Sequence, residues 1–330
     1  MTLQALAEQL RASRGFAHKR DIEPVVNALA SALPAGATAL PNGDDCAAIA
    51  DGDGYLLFAI EGLLNEFVAA EPWFAGYSSV MVNISDVAAM GGRPLAVVDA
   101  LWSAGQQQAA PVLEGMAAAA AAYGVPIVGG HSNTRNDRDQ LAVAIVGRAQ
   151  RLLTSFDARR DELLLMAVDL RGHYREPNPF WDASTAAPAA RLRADLAVLP
   201  ALAEEGLCRA AKDISMAGVV GTALMLLECS GLGAMIDVGA IPCPPGVAPL
   251  RWLTSFPSYG FILSVQPARA ATVQSRFAVR DIACAVIGRT DATHRVHLRD
   301  AGDEVLLWDF EASPLIGCAP ARSTESADVA

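Results

Sequence analysis

The sequence predicts an α/β or α+β protein built of two domains. Three observations indicate this fold class: a length of 330 residues, a composition that is 52% hydrophobic and 18% charged, and short apolar runs that alternate with stretches of helical apolar spacing. A chain of this length buries two substantial cores. We therefore expect an N-terminal domain at residues 1–150, a C-terminal domain at 151–318 and a disordered tail at 319–330.

The charge of the chain excludes some partners. Its net charge of −11 repels nucleic-acid backbones and anionic membranes, so we expect neither as a main partner. An anionic substrate then requires a local source of positive charge, such as Mg²⁺ or a helix N-terminus. The apolar run Ile214–Leu227 is too short to span a bilayer. With no basic leader before an apolar block and no CxxC pair among six cysteines, the sequence predicts a cytoplasmic protein with reduced thiols.

The predicted elements of the N-terminal domain mix helices and strands. Helical spacing predicts helices over Leu3–Arg11 and Ile22–Leu33, and the basic segment Arg14–Arg20 between them is predicted as a loop. Lys19 in that loop is a candidate phosphate contact, although a solvated connector is the more common use of such residues. The remaining elements are strands at Tyr55–Ile60, Leu95–Leu101, Val125–Val128 and Leu141–Arg148, and helices at Ile84–Met90 and Gln107–Tyr123.

Acidic residues stand beside a glycine turn and at a strand end. The segment PNGDD ends in Asp44 and Asp45, and Glu61 follows the predicted strand Tyr55–Ile60. Neighbouring side chains on an extended chain point to opposite sides, so one Asp can bind a metal ion while the other orients the loop. Alone, the motif is weak, because Asp in a glycine-rich turn usually forms an Asx turn without further function.

Asp86 is the single carboxylate in the apolar, small-residue segment Ser78–Pro94. A buried carboxylate there must be paired, capped or bound to a metal ion. If Ile84–Met90 is helical, Asn83 and Asp86 share one face of the helix. Alternatively, Asn83 or Ser85 caps the helix and Asp86 lies in its first turn, where the helix dipole favours it. The local sequence leaves both interpretations open.

A glycine pair begins the segment GGHSNTR directly after the predicted strand Val125–Val128. Glycines at a strand end let backbone N–H groups approach an anion, so Gly129 and Gly130 are candidate phosphate contacts. His131 is a metal ligand, a phosphate contact or an ordinary loop histidine, and the last use is at least as common. The same segment supplies the polar side chains of Asn133, Thr134 and Arg135.

The second domain alternates strands and helices again. Predicted strands are Glu162–Asp169, Leu207–Lys212, Ala234–Val238, Tyr259–Val265, Ile282–Gly288, Arg295–Arg299 and Glu304–Trp308, and predicted helices are Arg191–Glu205, Ile214–Leu227 and Ala268–Phe277. Asp213 or Ser215 is a natural N-cap for the apolar helix. The same helix N-terminus suits a phosphate or metal-phosphate group.

The stretch Arg171–Thr185, RGHYREPNPFWDAST, interrupts this alternation. Its prolines, aromatics and charges predict an ordered recognition loop rather than a flexible linker. Tyr174, Phe180 and Trp181 can stack on a substrate ring, although packing onto their own domain is the more common use of at least two of them. The charged candidates for substrate recognition in this loop are Arg171, Arg175 and Asp182.

Five motifs in order are NGDDCAAI, FAIEG, NISDVAAMGGRP, VGGHSNTR with a later Gly147-Arg148, and KDISMAGVVGTALMLLECSGLGAMID. Together they resemble the aminoimidazole ribonucleotide (AIR) synthetase superfamily, which includes thiamine-monophosphate kinase, selenophosphate synthetase and a hydrogenase maturation factor. The similarity runs from about Asp21 to about Gly288 and is nearest to AIR synthase-related proteins. The resemblance implies an N-terminal domain that forms a homodimer through its sheet, a C-terminal α/β domain, and Mg-ATP held by acids in the cleft.

The resemblance also implies roles for individual residues. Asp45, Asp86 and Asp213 match metal-phosphate positions of the family, and Glu61 matches one more loosely. Among these acids, Asp86 is better explained as a ligand than as a cap, with Asn83 orienting it. Residues expected to contact ATP are Lys19, Asp44, Gly129, Gly130, His131, Asn133, Thr134, Arg135, Arg148 and Ser215.

Two departures from the family pattern bear on function. His131 replaces the Asp of the family's GGDT, and Met216 replaces the second Asp of its DISDG motif. The missing carboxylates favour an enzyme that activates an amide or carbonyl oxygen of a small metabolite by phosphorylation, as an AIR synthetase-like ligase, cyclase or dehydratase does. The alternatives are a small-molecule kinase resembling thiamine-monophosphate kinase and a non-catalytic nucleotide- or metabolite-binding protein. The sequence names neither the substrate nor a catalytic residue.

Overall fold

A computed structural model describes residues 1–33 and 36–320 of the chain. The helices in this part are α1 (Leu3–Arg11), α2 (Arg14–Arg20), α3 (Ile22–Leu29), α4 (Asn65–Ala70), α5 (Pro72–Ala89), α6 (Gln106–Tyr123), α7 (Ala189–Leu196), α8 (Val198–Glu204), α9 (Gly218–Ser230), α10 (Pro249–Leu253) and α11 (Pro267–Ala278). Among them, no helix combines the length and the apolar character that crossing a bilayer requires.

The strands of the described residues form three sheets. They are β1 (Ala47–Asp51), β2 (Gly54–Gly62), β3 (Arg93–Trp102), β4 (Ile127–Asn133), β5 (Gln140–Ala149), β6 (Leu163–Val168), β7 (His173–Tyr174), β8 (Phe180–Asp182), β9 (Ala210–Asp213), β10 (Gly233–Asp237), β11 (Phe256–Pro257), β12 (Gly260–Val265), β13 (Ala283–Asp291), β14 (Arg295–Asp300) and β15 (Asp303–Asp309). The mixed architecture confirms the predicted fold class, while the domain boundary at residue 150 stays a prediction.

The first sheet has five strands in the order β1-β2-β5-β3-β4, and only β3 and β4 run parallel. Alternate residues of its strands face opposite sides. On one side Leu57, Val97 and Ile145 are buried in a core shared with α5 and α6. On the other side Phe58 and Ile60 are 52% and 65% exposed. The sheet therefore covers a core with one face and presents apolar side chains with the other.

Helix α5 is almost entirely buried and packs closely against α6. A side chain at Gly76 would collide with the backbone of Val112, so glycine is required for this close approach. The helix begins at Pro72, a residue suited to the first helical turn. Asp86 consequently lies near the C-terminal end of the helix, and the alternative in which Asn83 or Ser85 caps the helix does not hold.

The second sheet has seven strands in the order β15-β14-β10-β13-β6-β12-β9. Helix α9 packs on it, and every residue from Gly218 to Cys229 is buried because the helix is apolar all round. The predicted side-chain N-cap of this helix is wrong: its N-cap is Ala217, and Asp213 remains paired in β9 with Phe261 of β12. A small third sheet, β11-β8-β7, is built from the predicted recognition loop and one further strand.

Three other predictions need correction. Arg14–Arg20 is helix α2 rather than a loop, because the Ser13 hydroxyl accepts a hydrogen bond from the Phe16 N–H at 3.4 Å and Phe16 is fully buried. The predicted helix Ile22–Leu33 ends as a 3₁₀ turn at Ala30–Ala32. The predicted helix Arg191–Glu205 is divided between α7 and α8.

The segment before the predicted tail is fixed to α9 by one carboxylate. Glu228 is buried and accepts hydrogen bonds from the backbone N–H groups of Leu315, Ile316 and Gly317 at 2.8–3.2 Å. Cys318 is buried behind them. The predicted tail from residue 321 onwards lies outside the described residues.

Candidate functional site

A cavity of about 360 Å³ is lined by both halves of the chain. Its lining divides by chemistry into two groups. The charged group consists of Lys19, Asp44, Asp45, Glu61, Asp86, Lys212 and Asp213. The apolar group includes Met81 and the aromatic residues Phe67, Phe74, Phe180, Trp181 and Phe256. The sequence predicted most of the charged group, and the structure brings it together.

Three carboxylates form the centre of the charged group. Oxygen atoms of Asp45, Asp86 and Asp213 all lie within 4.8 Å of one another. Asp45 comes from the loop before β1, Asp86 from α5 and Asp213 from the end of β9. Asp213 also donates its backbone N–H to Asp45 at 3.3 Å, which ties the strand end to the loop.

Asp86 carries the clearest sign of an unfulfilled interaction. Its side chain is buried, and its Oδ2 atom has no hydrogen-bond partner among the described residues. Burial, and then the negative charge of Asp213, raises the pKa of Asp86 well above the usual carboxyl range. A carboxylate in this position requires either a proton or a cation.

Asn83 does not orient Asp86 as predicted. Its amide group donates to the backbone carbonyls of Ser79 at 2.8 Å and Val143 at 3.0 Å. The bond to Ser79 lies within α5, and the bond to Val143 joins α5 to β5. Asn83 therefore fixes the helix on the sheet, and the position of Asp86 follows from the packing of the whole helix.

Lys212 is a site residue that the sequence analysis missed. Its ammonium group is buried, donates a hydrogen bond to Asp45 and lies 3.9 Å from an Asp44 oxygen. Burial alone would lower the pKa of Lys212, but the charges of Asp45 and Asp44 outweigh it and raise the pKa. The available signal was a lysine directly before Asp213, at the end of the predicted strand Leu207–Lys212.

Asp44 and Asp45 divide the two roles that the sequence suggested. Asp45 belongs to the carboxylate cluster, whereas Asp44 accepts hydrogen bonds from the Ser155 hydroxyl at 2.7 Å and the Ser155 N–H at 2.8 Å. Burial raises the pKa of Asp44 to about 6, although Lys212 opposes the shift. Asp44 therefore orients the loop that presents Asp45.

Glu61, Lys19 and Ser215 also line the cavity. The protein packed around the Glu61 carboxylate raises its pKa, and the positive charge of Lys19 partly offsets this effect. Met216, which replaces a family carboxylate, lies in the same lining. These placements agree with the predicted metal-phosphate region, and Lys19 reaches it from helix α2.

The glycine-rich segment lies elsewhere on the first sheet. Gly129, Gly130 and His131 belong to the edge strand β4, so the predicted strand end before the glycines is wrong. His131 is in register with Gly62 at the end of β2, but three strand spacings, about 14 Å, separate them. The neighbouring candidates, which likewise do not line the cavity, are Asn133, Thr134 and Arg135.

Arg148 is also distant from the carboxylates. It pairs with Leu56 in the sheet, five residues or about 17 Å along β2 from Glu61. Its guanidinium group contacts the carboxylates of Asp51 and Asp53 in the β1–β2 turn. The structure therefore gives Arg148 a role in the turn.

The recognition loop contributes two of its six predicted residues to the cavity, Phe180 and Trp181. The other four hold the loop in place: Arg171 pairs with Asp169, Arg175 with Asp182, and the Tyr174 hydroxyl lies 2.7 Å from that of Ser255. Trp181 is itself mostly buried and donates to the carbonyl of Asp169 at 3.0 Å. Packing onto the domain is thus the main use of this loop.

The cluster of Asp45, Asp86 and Asp213 fits a hard divalent cation such as Mg²⁺. Mg²⁺ prefers oxygen ligands, is commonly held by one or two carboxylates, and completes its coordination with water and phosphate oxygens. The unpartnered oxygen of Asp86 points to such an occupant. The cluster and the two lysines together can hold a metal-bound polyphosphate.

Comparison with known proteins finds two family domains along the chain. Residues 43–149 match the N-terminal domain of AIR synthase related proteins, and residues 167–301 match their C-terminal domain. An uncharacterised protein of Synechocystis is 46% identical over 316 residues, which make up 96% of this chain and 98% of that protein.

Solved structures of the same fold carry nucleotides. PurL of Thermotoga maritima complexed with ATP has a TM-score of 0.69 at 22% identity; the match covers 84% of this chain and 47% of PurL, so this chain spans about half the length of PurL. AaThiL complexed with AMPPCP and TMP has a TM-score of 0.62 at 20% identity, covering 80% of this chain and 89% of AaThiL. These similarities show the fold, and the two family domains confirm the resemblance drawn from the motifs. The chain belongs to the AIR synthase-related family.

Proposed function

We propose that this protein binds Mg-ATP at Asp45, Asp86 and Asp213 and uses it to phosphorylate an amide or carbonyl oxygen of a small metabolite. One observation carries the proposal: three carboxylates from separate elements converge, and the buried Oδ2 of Asp86 lacks a partner among the residues that the structure describes. The ATP bound to PurL and the AMPPCP bound to AaThiL support a nucleotide as the ligand of this fold.

The chain's own residues have distinct tasks in this proposal. Bound Mg²⁺ would spread the charge of the phosphates, which otherwise repels an attacking oxygen. Lys212 pairs with Asp45, and Lys19 adds positive charge beside Glu61. The γ-phosphoryl group moves to the substrate oxygen as ADP leaves; a nucleophile then attacks the adjoining carbon and expels that oxygen as phosphate.

We also propose a homodimer through the outward face of the first sheet. Besides Phe58 and Ile60, this sheet exposes Val98 and Val128, which are 41% and 64% accessible. Several large apolar side chains on one sheet are typical of an interaction surface. Strand β4, with its glycine pair and His131, would then lie at the edge of the interface.

A second candidate is a small-molecule kinase. The match to AaThiL covers 89% of that chain, against 47% of PurL, so the kinase is closer to this protein in size. In a kinase the phosphoryl group stays on the product. A third possibility, binding without turnover, follows from the two family carboxylates that His131 and Met216 replace.

Two measurements test these proposals. Mg-ATP must raise the melting temperature, because a ligand of the native state stabilises it by mass action; no increase with Mg-ATP would refute the nucleotide site. Candidate substrates are then screened for ADP and phosphate. Free phosphate with a substituted or dehydrated product supports oxygen activation, a phosphorylated product supports the kinase, and a melting shift without turnover supports a binding protein.

A further inference from the structure

A second chamber of about 660 Å³ lies beside the carboxylate cavity. Four residues line both spaces: Leu64, Phe67, Phe180 and Met216. Phe67 and Phe180 meet edge to face with ring centres 4.9 Å apart. The two rings thus form a shared aromatic wall, which places the second chamber next to the proposed reaction site.

The second chamber is nearly neutral. Its charged residues Arg14 and Glu66 pair with each other at 2.7 Å. The amide of Asn178 donates to Glu71 at 2.8 Å, and the hydroxyl of Thr254 donates to the Leu250 carbonyl at 2.9 Å. Its polar groups are therefore largely satisfied within the protein.

The carboxylate cavity and the second chamber differ in charge, so they favour different ligands. A polyphosphate is favoured beside Lys19, Lys212 and the carboxylate cluster. The second chamber disfavours it, because its lining offers no unpaired cation among the described residues. Aromatic and aliphatic walls favour an uncharged ring system, which gains from apolar burial and from edge or face contacts with phenylalanine.

We propose that the second chamber is the acceptor subsite, and that it takes a substrate with a neutral aromatic body whose reactive oxygen reaches the carboxylate cluster past Phe67 and Phe180. The proposal rests on the proposed function, because the reactive oxygen must meet the γ-phosphoryl group there. Nucleotide and acceptor then approach the cluster from different sides and bind at the same time.

The test uses indole as a neutral aromatic probe. Saturation-transfer NMR measures its binding to the full chain. Indole should bind in the absence of nucleotide and in the presence of saturating Mg-AMPPCP. Ala70→Trp fills the chamber from an exposed position and should weaken indole binding at least tenfold. The matched control is Ala69→Trp, an exposed neighbour on α4 outside the chamber lining, which should change binding less than twofold.

The subsite would be overturned by the absence of saturation transfer to indole, or by equal binding of indole to Ala70→Trp and Ala69→Trp. Displacement of indole by Mg-AMPPCP would also overturn it, because the adenine would then occupy the chamber. If Ala70→Trp does not fold, Ala12→Trp fills the same space from another exposed position. Failure of the proposed function appears separately, as loss of the Mg-ATP melting shift while indole still binds.

Discussion

The carboxylate cluster and the glycine-rich strand β4 both contain residues that the sequence marked as candidate site residues. Only those of the cluster come together in the cavity. Asp45, Asp86 and Asp213 come from distant parts of the chain and meet within 4.8 Å. Gly129 and His131 lie on an exposed edge strand, away from the cavity lining. A charge inside an apolar segment has few stable environments, whereas a polar residue on a surface has many.

This difference shows for which motif residues the surroundings can be predicted from the sequence. A buried carboxylate such as Asp86 is stable only with a proton or a cation, so free energy constrains its environment. Exposure leaves His131 free of that constraint, and its ring lies 6.1 Å from the ring of Trp102 on the neighbouring strand. The predictions below test the contrast between buried and exposed charges, in order of decreasing effect.

The largest effect is expected for Lys212→Met. The change leaves Asp45 and Asp44 buried without their cation, and breaking a buried ion pair costs about 3 kcal/mol or more of unfolding free energy. Urea unfolding of the metal-free protein measures the loss. A change below about 1 kcal/mol would mean that the two acids take up protons at no cost.

Asp86→Asn should abolish the increase in melting temperature that Mg-ATP causes, with at least a tenfold loss of affinity. The amide keeps the shape of the side chain but removes the charge that a cation needs. The metal-free variant should be no less stable than the wild type, because a neutral amide avoids the cost of burying a carboxyl group whose pKa is raised by that burial. Asp53→Asn, on the exposed β1–β2 turn, is the control and should retain the full shift. An unchanged shift in Asp86→Asn would contradict the ligand role.

Phe58→Glu should weaken the proposed dimer about tenfold, because it places a charge in the apolar outward face of the first sheet. Light scattering after size-exclusion chromatography gives the mass at several concentrations. Leu113→Glu, at an exposed apolar residue on α6, is the matched control and should leave the mass unchanged. A wild-type protein that is monomeric at every concentration would rule out the dimer.

The metal-free protein should be more stable at pH 6 than at pH 8. Burial raises the pKa of Asp44 to about 6 and those of Asp86 and Asp213 well above the usual carboxyl value. Above about pH 4 the unfolded chain has lost these protons while the folded chain keeps them, so stability falls as pH rises through the folded pKa values. Melting temperatures in EDTA measure the slope, which excess Mg²⁺ should reduce. A melting temperature that rises from pH 6 to pH 8 would contradict this linkage.

The smallest effect is expected for Arg148→Gln. Its ion pairs with Asp51 and Asp53 are partly exposed to solvent, and such pairs contribute less than about 1 kcal/mol. The Mg-ATP melting shift should be that of the wild type. A large loss of the melting shift would mean that Arg148 contacts the nucleotide. It would also weaken the contrast between the buried carboxylate cluster and the exposed residues of the first sheet.

The sequence was sufficient for the fold class, the family and the carboxylates of the cavity. Ordered motifs predicted the family, and the resemblance to that family implied the metal-phosphate positions Asp45, Asp86 and Asp213. The position of Asp86 was not predictable from its neighbours in sequence. Helix α5 extends back to Pro72, and the packing of this helix against α6 and the first sheet sets where Asp86 lies.

Other residues escaped prediction for physical reasons. Lys212 resembles a solvated strand residue, and only the tertiary fold shows that it is buried against Asp45. The segment Arg14–Arg20 has the composition of a loop, but burial of Phe16 and capping by Ser13 stabilise a helix. Glycines interrupt many strands, yet Gly129 and Gly130 continue β4 through pairing with β3.

Glu228 accepts hydrogen bonds from the backbone of Leu315, Ile316 and Gly317, and this attachment affects the order in which the cavity forms during synthesis. Ile316 lines the same cavity as Asp45 and Asp86, although more than two hundred residues separate it from either acid. A ribosome therefore releases all three carboxylates long before it releases this part of the cavity wall. The nascent chain can hold the acids, but the cavity closes only after the segment Leu315–Gly317 has also been released.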